Sequence, residues 1–207
     1  MKQEETSTHD NIINAAKAEF LEKGYQKASL RSIVKTAGVT TGAFYRYYDS
    51  KEALFASLVE ETSRQILKIF TDTVEDFQRI PETRQSSCMR EFSGLCLTEI
   101  LNYIYEHYDN FKLLICCSDG TPYGNFTQSM VSIEEGCTYR YMEDMEKLGF
   151  SIPFLDRRLS HTIITGMFTG MLELIAHDTP KEEAEIFIKQ FQEFYTAGWS
   201  KILGMDF

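Results

Sequence analysis

The chain has 207 residues and a formal charge of −10, long enough to bury a real core in one or two domains. It shows no uninterrupted apolar run of 18 residues and no leader pattern at its start, so the reading is a soluble, cytoplasmic protein. Five cysteines (Cys88, Cys96, Cys116, Cys117, Cys137) form no CxxC pair, which favours reduced thiols acting as small buried hydrophobes over a metal or redox role for Cys116 and Cys117.

Met1–Ser7 reads as a polar tail, followed by a helix whose apolar stripe is Ile12, Ala16 and Phe20 and which Gly24 ends. The informative stretch is 29–55. Ser29 suits an N-cap, Leu30, Ile33 and Val34 give an apolar face, and Gly38 stands where a helix must stop. Thr40 or Thr41 can cap a second helix reaching Tyr47, roughly 10 Å long at 1.5 Å per residue. Phe44 and Tyr48 would pack inward against Ile33, Val34 and Val39. Helix, glycine turn and short helix make a helix-turn-helix, whose second member fits a major groove about 12 Å wide. A packed helical hairpin is the plain structural alternative.

On the outer face stand Thr40, Thr41, Gly42, Ala43, Tyr45, Arg46 and Tyr47. Arg46 can donate two hydrogen bonds to guanine, and the Thr41 and Ala43 methyls can touch a thymine methyl. Tyr45, Tyr47 and Lys51 suit phosphate oxygens, as do Lys27 and the Ser29 hydroxyl beside the preceding helix. Arg31 reads equally as a groove contact or a solvated charge. Residues 27–52 hold five basic side chains (Lys27, Arg31, Lys35, Arg46, Lys51) against two acidic ones (Asp49, Glu52), so this face is locally positive on an acidic body.

Gly42-x-Phe44-Tyr45-x-Tyr47-Tyr48-x-Ser50-Lys51-x-x-Leu54, with Ser29-Leu30-x-x-Ile33-x-x-x-Ala37-Gly38-Val39 before it, resembles the DNA-binding signature of the tetracycline-repressor (TetR/AcrR) family of bacterial regulators. The resemblance covers roughly the first quarter of the chain. Tyr48 departs from it, because the family more often has phenylalanine there, and the extra hydroxyl needs a partner.

Past Asp49 and Ser50 a long helix runs from Lys51 to about Phe77, and Pro81 breaks the chain. A helix is expected over about Ser87–Tyr108. The apolar segment Phe111–Cys117 that follows is readable as a strand or, better, a short core helix. After the loop 118–124 come helices over about Phe126–Leu148, Pro153–Ala176 and Pro180–Leu203, the last opened by a capping box of Thr179, Pro180 and Glu182. The last two helices are apolar over wide arcs, which predicts a homodimer interface rather than a purely interior pair.

The expected fold is therefore all-α. A helix-turn-helix DNA-binding domain would occupy 1–50 and a helical effector-binding and dimerisation domain 51–207. The resemblance implies an effector site in the second part, for which Phe92, Cys96, Tyr103, Phe111, Tyr123, Phe126, Tyr141, Met167 and Met171 are the candidates. Aromatic and methionine side chains would suit an apolar or aromatic effector. His9, His107, His161 and His177 are scattered and form no HExxH, and no nucleophile elbow occurs, so nothing specific supports an enzyme, a metal site or a cofactor. The function read is a one-component regulator, a repressor, binding palindromic operator DNA as a homodimer. The alternatives are a helical small-molecule binding protein or enzyme with a vestigial head, and a thiol redox sensor.

Overall fold

The computed structural model describes residues 2–204, with side chains from residue 7. Among the described residues there are nine α-helices and no strand. They are α1 (Lys2–Lys27), α2 (Leu30–Thr36), α3 (Thr41–Phe44), α4 (Lys51–Gln78), α5 (Glu82–Glu106), α6 (Tyr108–Cys116), α7 (Phe126–Lys147), α8 (Arg157–Ala176) and α9 (Lys181–Leu203).

Local chemistry explains most boundaries. Gly24 breaks the helical path of α1 with φ +69° and ψ 163°, a conformation open to glycine because it lacks a Cβ. The segment expected as a polar tail is instead helical from Lys2, where Lys2, Gln3, Glu4 and Glu5 are all good helix formers. α5 starts at Glu82, earlier than its apolar stripe suggests. Gln85 is buried there, and its amide donates to the Ile80 carbonyl at 3.1 Å. Phe111–Cys116 is helical, not extended.

Two further expectations need correcting. α9 opens with Pro180 at the N-cap and no side-chain cap, not with a capping box. The Thr179 backbone is tied elsewhere, its N–H to Leu174 O and its carbonyl to the Tyr105 hydroxyl at 2.6 Å. α3 is only four residues long. After Phe44 the chain tightens into i→i+3 bonds, Arg46 N–H to Ala43 O at 3.2 Å and Tyr47 N–H to Phe44 O at 2.9 Å.

The helices form two compact units. One comprises the chain up to Gln65 together with His107–Phe126, and the other comprises Ile66–Glu106 with the chain from Thr127 onward. In the first unit Phe20 meets Phe55 edge-on at 5.0 Å and Tyr25 meets the same ring at 5.1 Å. α6 packs on α1. Tyr25 N–H donates to Cys117 O at 2.9 Å, and the Gly120 backbone lies so near Gln26 that a Cβ there would sit 2.9 Å from its amide nitrogen.

The second unit has two apolar clusters, one around Phe77, Tyr141, Met145, Leu155 and Leu203, the other around Leu101, Leu174, Ala184 and Ile188. α8 is long and apolar enough to cross a bilayer. It packs on α9 and buries one stripe, Ile164, Phe168, Leu174 and Ile175, while most of its length stays uncovered in the monomer.

Candidate nucleic-acid interface and cavity

The helix-turn-helix is built by the capping chemistry its sequence announces. Ser29 Oγ accepts from Ser32 N–H, Gly38 takes φ +68°, and Thr40 Oγ1 accepts from Ala43 N–H at 3.1 Å. Ile33 and Phe44 are fully buried, fixing α3 against α2. Thr40, Thr41, Gly42, Tyr45 and Arg46 are left exposed, with Ala43 and Tyr47 half-buried. Lys27, Ser29 and Arg31 are exposed beside α2. Arg46, Lys27, Arg31 and Lys35 have no ion-pair partner among the described residues, so their charges are uncommitted.

Several neighbours hold this face in place. Glu19 is 7% exposed and accepts from Ser29 N–H at 3.0 Å, from Ser32 Oγ at 2.8 Å and from Lys23 at 2.9 Å. The Ser29 N–H bond, then the lysine and serine contacts, outweigh burial and hold its carboxyl below the ordinary carboxylate range. Tyr25 donates to Glu52 at 2.5 Å, and burial, then Glu52, pushes its phenol up to about 12. The Tyr48 hydroxyl, the departure noted in the sequence, shares a hydrogen bond with His9 Nε2 at 2.9 Å.

Lys51 is not a simple phosphate contact. Its ammonium donates to the Tyr25 carbonyl at 2.8 Å and to the Ala28 carbonyl at 3.1 Å, and lies 4.3 Å from the Tyr25 ring centre. Two of its three N–H groups close the end of α1, leaving one for any outside oxygen.

The second unit contains a cavity of about 130 Å³. Met167 and Met171 reach it from α8, Phe191, Tyr195 and Trp199 from α9, and Glu134, Cys137 and Tyr141 from α7. Met89, Ser93 and Leu97 of α5 complete one side. Burial pushes Glu134 up to about 7 and Cys137 up to about 12.

Residues 12–58 match the family of bacterial regulatory proteins named tetR. The chain is 36% identical over 69 residues to the Bacillus subtilis HTH-type transcriptional regulator YdgC, itself uncharacterized, covering 33% of this chain and 35% of that protein. It is 32% identical over 75 residues to the Escherichia coli HTH-type transcriptional regulator UidR, covering 36% and 38%. The matched stretch thus spans little more than a third of either relative. The likeness to the TetR family in sequence thus rests on the head, residues 12–58.

The whole chain also has a TetR-like fold. A TetR-like regulator from Rhodococcus sp. RHA1 superposes with TM-score 0.53 at 16% identity, over 92% of this chain and 96% of the other. A Mesorhizobium loti protein described as a TetR-family regulator gives 0.51 at 20%, over 93% and 96%. At such identities the likeness is one of fold only.

Within this TetR fold the sequence-derived effector candidates separate. Tyr141, Met167 and Met171 line the cavity. Phe111, Tyr123 and Phe126 belong to the first unit, where Phe111 and Phe126 pack edge-on at 6.2 Å. Phe92 packs into the cluster around Phe77, Cys96 is buried with its thiol pushed up to about 11, and Tyr103 is half-buried on α5; none of the three lines the cavity. Sequence reasoning missed Glu134, Phe191, Tyr195 and Trp199 as lining groups. Glu134 carried a signal, since it lies four residues after Met130 and three before Cys137, within the apolar stripe of its helix.

Proposed function

We propose that the protein is a one-component transcriptional repressor. Residues 1–50 bind DNA, and residues 51–207 bind an effector and form a homodimer. The observation that carries this reading is the exposed outer face of α3, with Arg46 uncommitted, on a head of TetR type. Thr41, Ala43 and Arg46 read base edges, while Lys27, Ser29, Tyr45 and Tyr47 meet phosphates. Two heads read palindromic half-sites about 34–36 Å apart or a multiple of it.

Dimerisation through α8 and α9 is supported by apolar side chains that the monomer leaves uncovered on α9, with Phe194 72% and Ile186 60% exposed. The cavity between α5, α7, α8 and α9 is the effector site, and effector binding favours a dimer whose heads no longer fit the operator. The protein works in the cytoplasm. The Mycobacterium sp. GP1 relative named as the repressor DhaR, 28% identical over 80 residues and 40% of that protein, supports repression over activation. Burial pushes Cys117 up to about 11, where little nucleophilic thiolate is present, so a thiol sensor would have to act through the exposed Cys116. The test is a gel-shift titration with duplex from the chain's own promoter region. Salt-dependent, sequence-selective binding is expected, and indifference to every duplex at low ionic strength overturns the reading.

A further inference from the structure

The cavity of the second unit encloses an acid without a counter-charge. Glu134 reaches it from α7, and among the described lining residues there is no lysine, arginine or histidine. Glu134 has no hydrogen bond or ion pair with any described residue. It is half-buried by surface, yet surrounded densely enough by protein that desolvation dominates its chemistry. An ionised carboxylate in such a place is costly unless something positive joins it.

We propose that the cavity binds a small organic cation with an aromatic or branched apolar body, its positive charge set against Glu134. The proposal rests on the effector reading above and names the ligand's chemical class. The walls suit such a molecule. Phe191, Tyr195, Trp199 and Tyr141 bring aromatic rings to the wall, the groups that hold organic cations, and Met167 and Met171 offer adaptable apolar surface. The volume of about 130 Å³ is near the ~150 Å³ known to hold one benzene ring, so the body is about that of a single ring. An anion would be repelled by Glu134. A neutral apolar ligand would strip the carboxylate's remaining water and return nothing.

The groups around Glu134 leave it as the titrating member of the cavity. On its own helix Cys137 is pushed up to about 12 and Tyr141 is raised by burial; Arg140, which acts on Cys137, is bonded to Gln78 at 2.6 Å. Facing it from α5 is Cys96, pushed up to about 11, with Glu99 acting on the same thiol. Tyr195 of α9 is raised by burial, and His161 of α8 is paired with the neighbouring Glu135 at 3.2 Å. Glu134 itself sits at about 7, ionised above it. Affinity for a permanent cation therefore rises with pH through about 7 and then levels off.

Trp199, the chain's one tryptophan, lines the cavity and reports on its contents. The probes are benzyltrimethylammonium and its uncharged isostere neopentylbenzene, titrated into the full chain with Trp199 emission read at about pH 5.5 and about pH 8.5. The cation is expected to bind about tenfold more tightly at the higher pH, while the isostere shows no such gain. Glu134→Gln should lose that gain and bind the cation about tenfold more weakly at the higher pH. Equal affinity of the wild type for cation and isostere, or full cation affinity in Glu134→Gln, overturns the proposal. The wild-type comparison decides even if the variant fails to fold. A parallel gel shift separates the two readings. Operator binding that survives failure of the cation leaves the regulator standing and removes only this ligand class, whereas a cation that binds to a chain inert toward DNA does the reverse.

Discussion

Lys51 shows how a charge placed for one purpose by its sequence position can serve another. Because its ammonium holds the carbonyls of Tyr25 and Ala28, Lys51→Ala should lower the stability of the full chain by about 1–3 kcal/mol, the usual cost of orphaning buried acceptors beside a lost charged donor. A thermal melt checks this, and a variant with unchanged melting but a flatter salt dependence of DNA binding would restore the phosphate role. Arg46→Ala belongs to the opposite class. It should leave the melt unchanged and cost about 1–3 kcal/mol of discrimination at one base pair per half-site. Equal loss on operator and random DNA would reduce Arg46 to a phosphate contact.

Glu19 and Glu134 pull stability in opposite directions with pH. Glu19 is held below its ordinary value, so its contribution is complete above about 4.5 and is lost as pH falls through the lower folded value. Glu134 is held above its ordinary value, so stability falls as pH rises from 4.5 towards 7 and is flat beyond. Melting curves across this range should show Glu19→Gln weakening the protein above 4.5 and Glu134→Gln strengthening it above 7. Local pattern made the exposed positions around α3 legible in the sequence, because capping and alternation act within a few positions. His9 as the partner of Tyr48, and Glu19 as the anchor of Ser29, depend on contacts 39 and 10 residues apart that no local pattern announces.

At the scale of elements, the tight turn between α2 and α3 is the most exposed to a single change. Gly38 has φ +68° with open space where a side chain would go. Gly38→Ala should therefore cost about 1–2 kcal/mol through backbone strain alone, with Gly38→Asn milder. Matching losses in the melt and in DNA affinity would show that the turn sets the pose of α3. Helix existence was legible throughout because apolar periodicity and glycine or proline punctuation agree. The lengths of α1 and α5 were not, since their first turns are polar and are kept helical by propensity in one and by the buried Gln85 in the other. The cavity was the least legible feature. A stripe of aromatics reads the same whether it meets another helix or lines a space between four of them.

At the scale of the molecule, the proposed dimer makes its own demand. Phe194→Asp should shift the protein to monomer in sedimentation and abolish cooperative operator binding, while leaving the cavity's Trp199 signal in place. A persistent dimer would move the interface away from this face of α9.

The first compact unit also draws on two separated lengths of chain, the segment ending at Gln65 and the later His107–Phe126. During synthesis the amino-terminal helices leave the ribosome without α6, and the Tyr25 N–H waits for a carbonyl at Cys117 that has not been made. At about 5–20 residues per second that delay lasts several seconds, a window in which the nascent head lacks its companion helix and is open to proteases and chaperones. A premature stop before this helix should thus leave a poorly protected fragment, so that for the proposed repressor gene damage downstream would silence it rather than free its head to occupy operators unregulated.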